Sequence, residues 1–348
     1  MTDDVLISTE GGVGRLRLNR PKAIHALSHA MCAAMSEALL AWRNDPAIRL
    51  VMIDHAEGRG FCAGGDIRML AESGAGDGAA ARAFFHAEYR LNHLLFTYPK
   101  PVIAFMDGIT MGGGVGISQP AKYRIATERT KYAMPESGIG LFPDVGGGWY
   151  LSRLPGRTGQ FLALTGARID GADCVALGLA THYVPSEGLE ALKAALLAAP
   201  QDIDSIVAAA AQPAPAARIV EDRERIDRLF ASDSYEQVLA ALEADGGEWA
   251  RKELATLATK SPQTCKVSLR LLDQGRGHVD FAEEMKVEYR IAARLCQSAD
   301  FIEGVRALIV DKDNAPQWNP ASAEGVTEDR LDGIFAPLPA DQEWTPFS

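Results

Sequence analysis

Apolar and polar positions alternate with two different periods in the first forty residues. In residues 13–19 leucines and arginines alternate, a period of two that predicts a half-buried strand. Pro21 then interrupts the chain, and Ser28 is a suitable N-cap for a helix. The apolar residues that follow Ser28 at helical spacing are Met31, Met35, Ala38 and Trp42.

Short continuous apolar runs come next. Residues 50–53, 102–106 and 124–126 lack alternation, which is typical of strands buried on both faces. Strands of this kind are separated by helical patterns through about residue 185, which predicts an α/β domain built from strand-to-helix crossovers.

The composition changes after Pro200. Residues 205–217 are rich in alanine and proline and predict a linker or surface excursion. Residues 219–312 are mostly helical in pattern, and the proline-rich residues 314–348 predict a strap packed on the surface. We therefore expect an α/β core at 1–200 and a helical region with a proline-rich tail at 201–348.

Charge and cysteine usage narrow the function classes. The chain has 348 residues and a net charge of −11, so we expect neither nucleic acid nor an anionic membrane as a partner. No apolar run reaches the ~18 residues of a membrane span. The five cysteines form no CxxC pair, and the first residues carry no targeting pattern. Together these features predict a cytoplasmic protein; homo-oligomerisation is left open.

Several familiar chemical motifs are missing from the sequence. It contains no phosphate loop, no GxGxxG, no HExxH and no GxSxG. His25 and His29 are four residues apart but flank the predicted helix start, and no third ligand is suitably spaced. We expect no metal site and no metal or redox cofactor.

Two glycine clusters follow predicted strands. Residues 61–66 (FCAGGD) come after the apolar run at 50–53, and residues 111–116 (MGGGVG) come after the run at 102–106. Backbone without a Cβ lets N–H groups approach a ligand closely. Two such groups from separate loops could form an oxyanion hole, whereas either cluster alone could be a tight turn.

Three carboxylates stand in apolar surroundings. Glu88 falls on the apolar stripe of a predicted helix, where it needs a partner or a purpose. The structural alternative is an ion pair with Arg124 or Arg153. Glu136 and Asp144 lie in a segment rich in glycine and proline, and two such groups can be split in pKa into a base or nucleophile and an acid.

These segments together resemble the crotonase (enoyl-CoA hydratase/isomerase) superfamily, and in particular a hydrolase branch of it. The similarity covers nearly the whole chain and is weakest at residues 186–260. It implies a crotonase-like spiral of ββα turns with two roughly perpendicular sheets and a C-terminal helical region. The segments that carry it are FCAGGDI (61–67), GITMGGGVG (108–116), AMPE (133–136), GLFPDVGGG (140–148), LALTG (162–166), ATHY (180–183) and DFIEGVRALIVDK (300–312), with Trp318.

The resemblance assigns roles to residues. It implies that the N–H groups of Gly65 and Gly113 bind the thioester carbonyl, that Glu136 acts beside it and that Asp144 faces it. A position matching Glu88 contacts the substrate. The residues expected to bind CoA are Lys22, Ala23, Ala63, Gly64 and Ile67.

Two positions depart from common family patterns. Gly116 stands where hydratases usually carry a second catalytic glutamate, which argues against a two-glutamate hydratase. His25 stands in the region lining CoA where asparagine is usual.

The implied activity is hydrolysis of a short 3-hydroxyacyl-CoA thioester, specifically 3-hydroxyisobutyryl-CoA, as in valine breakdown. Glu136 would attack the carbonyl or activate water as a base, and both routes stay open. The alternatives are a hydratase or isomerase of the same superfamily and a non-catalytic acyl-CoA-binding protein.

Overall fold

A computed structural model describes residues 2–347, which form ten strands and seventeen α-helices. The strands are β1 (Val5–Glu10), β2 (Val13–Leu18), β3 (Leu50–His55), β4 (Gly60–Cys62), β5 (Val102–Met106), β6 (Ile109–Met111), β7 (Tyr123–Ala126), β8 (Lys131–Ala133), β9 (Ile169–Asp170) and β10 (His182–Tyr183).

The helices fall into two groups along the chain. Those up to residue 210 are α1 (His29–Arg43), α2 (Ile67–Gly74), α3 (Ala79–Phe96), α4 (Gly113–Ser118), α5 (Gly147–Leu151), α6 (Thr158–Thr165), α7 (Gly171–Ala176), α8 (Leu189–Ala198) and α9 (Ile203–Ala210). Those that follow are α10 (Arg218–Glu221), α11 (Arg223–Leu229), α12 (Tyr235–Asp245), α13 (Glu248–Leu257), α14 (Pro262–Gly277), α15 (Phe281–Leu295), α16 (Ala299–Val305) and α17 (Glu328–Phe335).

The strands form two sheets. The larger sheet has the order β1-β2-β3-β5-β7-β10 and is parallel except for the β1–β2 hairpin. The smaller sheet has the order β4-β6-β8-β9, with β4, β6 and β8 parallel. The chain forms three successive strand pairs, β3–β4, β5–β6 and β7–β8. In each pair the first strand belongs to the larger sheet and the second to the smaller sheet. This repeated turn confirms the predicted crotonase-like α/β architecture.

Local chemistry explains the elements that the pattern predicts. In β2 the apolar Leu16 and Leu18 are fully buried, while Arg15 and Arg17, which alternate with them, are only half-buried. α1 begins after Ser28, whose hydroxyl accepts a hydrogen bond from the Met31 N–H at 3.3 Å. β3 and β5 are covered on both faces, as their unbroken apolar sequences predict.

The linker prediction for residues 205–217 is wrong in its first half. These residues include most of α9, in which Ile203 and Val207 are one turn apart and pack under the larger sheet. Alanine is the strongest helix former, so an alanine run beside apolar residues at this spacing favours a helix. Only residues 211–217 lack a helix, and Gln212 there forms a bridge to Tyr183.

The C-terminal tail is more than a surface strap. It contains α17, and Trp344 is completely buried in the main apolar core. That core also includes residues from both sides of position 200, such as Leu16 and Leu271. The domain division at residue 200 stays a prediction. Over residues 2–347, no helix is both long and apolar enough to cross a membrane.

Candidate active site

The smaller sheet gathers the predicted site segments at one edge. β4, β6 and β8 are adjacent parallel strands, and each is followed directly by a segment singled out from the sequence. Gly65 lies three residues beyond β4, Gly113 two beyond β6, and Glu136 three beyond β8. Carboxyl ends of parallel strands meet at the same edge, which is where ligands bind in α/β proteins.

Gly112 and Gly113 are the point on which the other site residues converge. A Cβ at Gly112 would lie 3.0 Å from Glu136 Oε1 and 3.3 Å from Gly64 Cα. A Cβ at Gly113 would overlap Glu88 Oε1. The absence of side chains at these glycines therefore lets two carboxyl groups and a second backbone segment approach the start of α4.

The two expected oxyanion donors have no partner within the chain. Neither the Gly65 N–H nor the Gly113 N–H donates a hydrogen bond to another residue among 2–347. Gly113 is the first residue of α4, so its N–H also has no partner inside that helix. Two unpaired N–H groups on neighbouring loops can donate hydrogen bonds to a carbonyl oxygen on which negative charge develops.

Glu88 is buried without a counter-ion. Its side chain is 2% exposed, and Oε1 has no hydrogen-bond partner in the described structure. The alternative ion pair is excluded, since Arg124 and Arg153 donate to backbone carbonyls instead. Burial raises the pKa of Glu88 well above its usual range, and the charges of Asp144 and Glu136 raise it further.

Glu136 and Asp144 share the same desolvated setting. Burial raises the pKa of Glu136 well above its usual range, and the Asp144 charge adds to this effect. Burial raises the pKa of Asp144 to about 7, opposed by a hydrogen bond from the Tyr89 hydroxyl at 2.7 Å. Glu136 Oε2 has no partner among the described residues. The site can therefore hold and exchange protons near neutral pH.

A fourth buried carboxylate fixes the loop that carries Asp144. Glu288 on α15 accepts hydrogen bonds from the N–H groups of Gly146 at 2.8 Å and Gly148 at 3.2 Å. Val145 between them and Asp144 has a φ of +53°, a conformation that a β-branched residue rarely adopts. The helical C-terminal region thus holds in place the strained segment that carries Asp144.

Sequence reasoning missed Tyr89 and Glu288. Tyr89 follows Glu88 on the buried side of α3, so the helical pattern could have drawn attention to it. Glu288 contacts a loop 142 residues away in the sequence, and no local pattern could reveal that pairing.

The expected CoA-binding residues lie on two adjoining segments. Lys22 and Ala23 belong to a short 3-10 helix, and Lys22 is exposed. The chain after this helix is joined to residues 63–64 by hydrogen bonds from the Ala63 N–H to Ile24 O and from the Leu27 N–H to Gly64 O. Ile67 starts α2 directly after this junction and is partly buried. Their CoA contacts stay a prediction.

His25 has a structural task within this region. The buried ring accepts a hydrogen bond from the Arg20 N–H at Nδ1, 2.9 Å away, and Nε2 lies 2.8 Å from the Glu57 carbonyl. An Nε2–H tautomer satisfies both contacts. Burial lowers the pKa of His25, which keeps this neutral form. His25 thereby joins residues 20–25 to the loop after β3.

Comparison with known proteins establishes the family. A family model described as enoyl-CoA hydratase/isomerase matches residues 13–335. The chain belongs to this family, and the resemblance inferred from its glycine clusters and carboxylates is confirmed.

Curated relatives with a more specific name match almost the whole chain. A Xenopus laevis protein named 3-hydroxyisobutyryl-CoA hydrolase, mitochondrial, is 42% identical over 96% of this chain and 89% of its own length. The Homo sapiens protein of the same name is 39% identical over 97% of this chain and 89% of its own.

Solved structures share the fold closely. A carnitinyl-CoA dehydratase from Mycobacterium thermoresistibile has a TM-score of 0.94 and 42% identity, covering 99% of both chains. An enoyl-CoA hydratase from Rhodobacter sphaeroides 2.4.1 has a TM-score of 0.92 and 40% identity, covering 99% of this chain and 100% of that one.

The comparisons correct the expected location. The absence of a targeting pattern in the first residues predicts a cytoplasmic protein, but the curated relatives are named as mitochondrial. The cytoplasmic expectation is therefore wrong. Compartment is a matter of address signals rather than of the physics of the folded chain, so composition and charge were poor guides to it.

Proposed function

We propose that this protein hydrolyses a short 3-hydroxyacyl-CoA thioester, specifically 3-hydroxyisobutyryl-CoA, to the free hydroxy acid and CoA. The observation that carries the proposal is the cluster of three buried carboxyl groups, Glu88, Glu136 and Asp144, around two unpaired N–H donors. Relatives of this name at about 40% identity support the same substrate. A non-catalytic acyl-CoA-binding protein would not need this costly cluster.

The glycine N–H groups form the oxyanion hole of the proposed site. The thioester oxygen is placed between the N–H groups of Gly65 and Gly113, which stabilise the negative charge of the tetrahedral state. Removal of one such donor raises a reaction barrier by ~2.7–4 kcal/mol in other acyl-transfer enzymes. Here both donors are backbone N–H groups, so the fold fixes their positions before the negative charge develops.

Glu136 and Asp144 supply the proton and nucleophile chemistry. In one route Glu136 attacks the carbonyl carbon and forms a mixed anhydride; in the other it takes a proton from an attacking water. Asp144, with its pKa raised to about 7, donates a proton to the departing sulfur and recovers one from water. Water and carboxyl groups supply every proton and nucleophile, so the proposed reaction requires no metal or redox cofactor.

Glu88 accounts for the hydroxyacyl preference. Its Oε1 is buried, unpartnered and adjacent to Gly113, so it can accept a hydrogen bond from the substrate's 3-hydroxyl. A site built to pair with a hydroxyl rejects analogues that lack it, because the buried carboxyl oxygen then stays unsatisfied. This arrangement gives the carboxylate on the apolar stripe of α3 a purpose.

Hydration of an enoyl-CoA is the second candidate function. It is favoured by the two solved structures at 42% and 40% identity, which are titled as a dehydratase and a hydratase. Against it stands Gly116, where a Cβ would lie 2.6 Å from Val145 Cβ and 2.7 Å from Asn92 Nδ2. The fold here has no room for a carboxylate side chain at that position.

A comparison of two substrates separates these functions. Purified protein is given 3-hydroxyisobutyryl-CoA while a thiol reagent reports free CoA, and crotonyl-CoA while the enoyl absorbance is followed. We expect fast thiol release from the first substrate and slow loss of absorbance from the second. Fast loss of enoyl absorbance without thiol release would reject the hydrolase and support the hydratase.

A further inference from the structure

Asn92 is an unsatisfied amide inside the protein. Its side chain is fully buried, and neither Oδ1 nor Nδ2 has a hydrogen-bond partner within residues 2–347. A buried polar group left without a partner destabilises the fold, so an apolar side chain of the same size would stabilise the fold more. Such an amide needs a hydrogen-bond partner from outside the chain. Without one, it only destabilises the fold.

The position of Asn92 connects it to the candidate active site. It lies one helical turn beyond Glu88 and three residues beyond Tyr89, so the three side chains share one face of α3. Tyr89 binds Asp144 on that face. The Asn92 amide itself is pressed against α4, because a Cβ at Gly116 would be 2.7 Å from Nδ2.

The strained segment that follows Asp144 also lies against α4 at Gly116. A Cβ at Gly116 would also lie 2.6 Å from Val145 Cβ, so Asn92 and Val145 converge on the same bare stretch of α4. Glu88 Oε1 and Glu136 Oε2 are also buried without hydrogen-bond partners, and both side chains approach the start of α4. A small polar molecule that both donates and accepts hydrogen bonds would satisfy these unpartnered atoms.

We propose that Asn92 holds the water molecule that hydrolyses the acyl group. This inference rests on the proposed function and extends it to a positioning residue. A carboxamide suits the role, because Nδ2–H donates to the water oxygen while Oδ1 accepts one water proton. The second water proton then points to a carboxylate base, and a lone pair is left for attack. A buried water is well held by two to four polar partners.

The chemical step balances in both open routes. With Glu136 as base, the water oxygen bonds to the thioester carbon, one water proton passes to Glu136, and the C–S bond breaks. Asp144 gives its proton to the sulfur, CoA leaves as a thiol, and the proton held by Glu136 replaces the one that Asp144 gave. With Glu136 as nucleophile, CoA has already left with a proton from Asp144. The water then attacks the acyl carbon of the anhydride, returns a proton to Asp144 and frees both the hydroxy acid and Glu136.

The test is a competition between water and hydroxylamine. Asn92→Leu keeps the volume of the side chain and removes both polar atoms. We expect the kcat for hydrolysis to fall roughly 10- to 100-fold while KM changes less than about threefold, because the thioester still binds and only the water is misplaced. Added hydroxylamine, a nucleophile that does not depend on the held water, should restore CoA release, and the ratio of hydroxamate to free acid should rise.

A matched control removes a buried unpartnered polar atom elsewhere. Thr158 Oγ1 at the start of α6 is also buried and unpartnered, and Thr158→Val is nearly isosteric. We expect this variant to keep native kcat and the native product ratio, whereas a change of that ratio would remove the specificity claimed for Asn92.

A second pair of variants keeps the proposal testable if Asn92→Leu does not fold. Asn92→Ser retains a hydroxyl that can donate and accept, and Asn92→Ala does not. We expect higher hydrolysis and less hydroxamate with serine than with alanine, and equal values would overturn the proposal.

The outcomes separate this inference from the function on which it rests. If the native protein releases no CoA from 3-hydroxyisobutyryl-CoA, the proposed function fails. If the native protein is active and Asn92→Leu retains native hydrolysis, the inference alone fails. It also fails if hydroxamate formation falls as far as hydrolysis does, since that result indicates a purely structural amide.

Discussion

The Tyr89 hydroxyl donates a 2.7 Å hydrogen bond to Asp144 Oδ2 and links α3 to the segment that leads into α5. Burial raises the pKa of Asp144 to about 7, and this hydrogen bond opposes the rise by stabilising the charged form. The contact therefore keeps the pKa of Asp144 close to neutral pH, where the side chain can both give and receive a proton. Both residues are fully or almost fully buried, so the surrounding water does little to weaken the contact.

Removal of the Tyr89 hydroxyl should move the pH dependence upward. In Tyr89→Phe the charged form of Asp144 loses its donor, and hydrogen bonds to charged groups are worth about 1.5–3 kcal/mol. We expect the limb of the pH–rate profile that reports Asp144 to shift to higher pH by about 1–2 units. Tyr98→Phe is the matched control, since that hydroxyl binds the Leu39 carbonyl. An unmoved limb in Tyr89→Phe would show that this hydrogen bond does not tune Asp144.

Asp144→Asn should stabilise the protein most at high pH. The folded pKa of Asp144 is raised to about 7 from an ordinary 3.8, so the folded state holds an extra proton between these values. Its contribution to stability is complete below the lower value and is lost as the pH rises through about 7. Asparagine removes this loss.

Urea unfolding of both proteins at pH 5 and pH 8 measures the effect. We expect the advantage of Asp144→Asn in the free energy of unfolding to grow by about 1–3 kcal/mol between the two pH values. The variant should also lose thioester hydrolysis. An advantage that is the same at both pH values would mean that Asp144 does not titrate in this range.

The sequence was sufficient to predict the strands β2, β3 and β5, the helix α1 and the buried position of Glu88. Each depends on a period or an apolar run within about twenty residues, which local physics determines. The Ala-rich part of α9 was misjudged, because its burial depends on the sheet above it rather than on its own sequence. The strained Val145 and the contacts of Tyr89 and Glu288 depend on segments that meet only in the folded chain.

Loss of the Glu288 carboxylate should damage the site from a distance. Glu288→Ala leaves the N–H groups of Gly146 and Gly148 without an acceptor, and the strained loop that holds Asp144 can then relax. We expect kcat to fall about tenfold or more and the free energy of unfolding to fall by about 1–3 kcal/mol. Glu283→Ala on the exposed face of the same helix is the control. Equal effects of the two substitutions would exclude a clamp at Glu288.

A side chain at Gly113 should block the position proposed for the thioester carbonyl of the substrate. A Cβ there overlaps Glu88 Oε1, and a valine would extend further into the space beside the N–H. We expect Gly113→Val to impair both acyl-CoA binding and turnover, with at least a 100-fold fall in kcat/KM. Gly333→Ala is a suitable control, because a Cβ at Gly333 meets no atom within 4 Å. Near-native turnover by a folded Gly113→Val would reduce the glycine cluster to a simple turn.

The central claim is that Glu136, among buried carboxyl groups and unpaired N–H donors, hydrolyses a hydroxyacyl thioester. Its most direct test is thiol release from 3-hydroxyisobutyryl-CoA and from isobutyryl-CoA by the native protein and by Glu136→Gln, with acyl-CoA binding measured by titration. We predict fast release from the hydroxyacyl ester only, and a fall of roughly 10²–10⁴-fold in Glu136→Gln with binding retained. Equal rates on the two esters, or undiminished release by Glu136→Gln, would contradict the account.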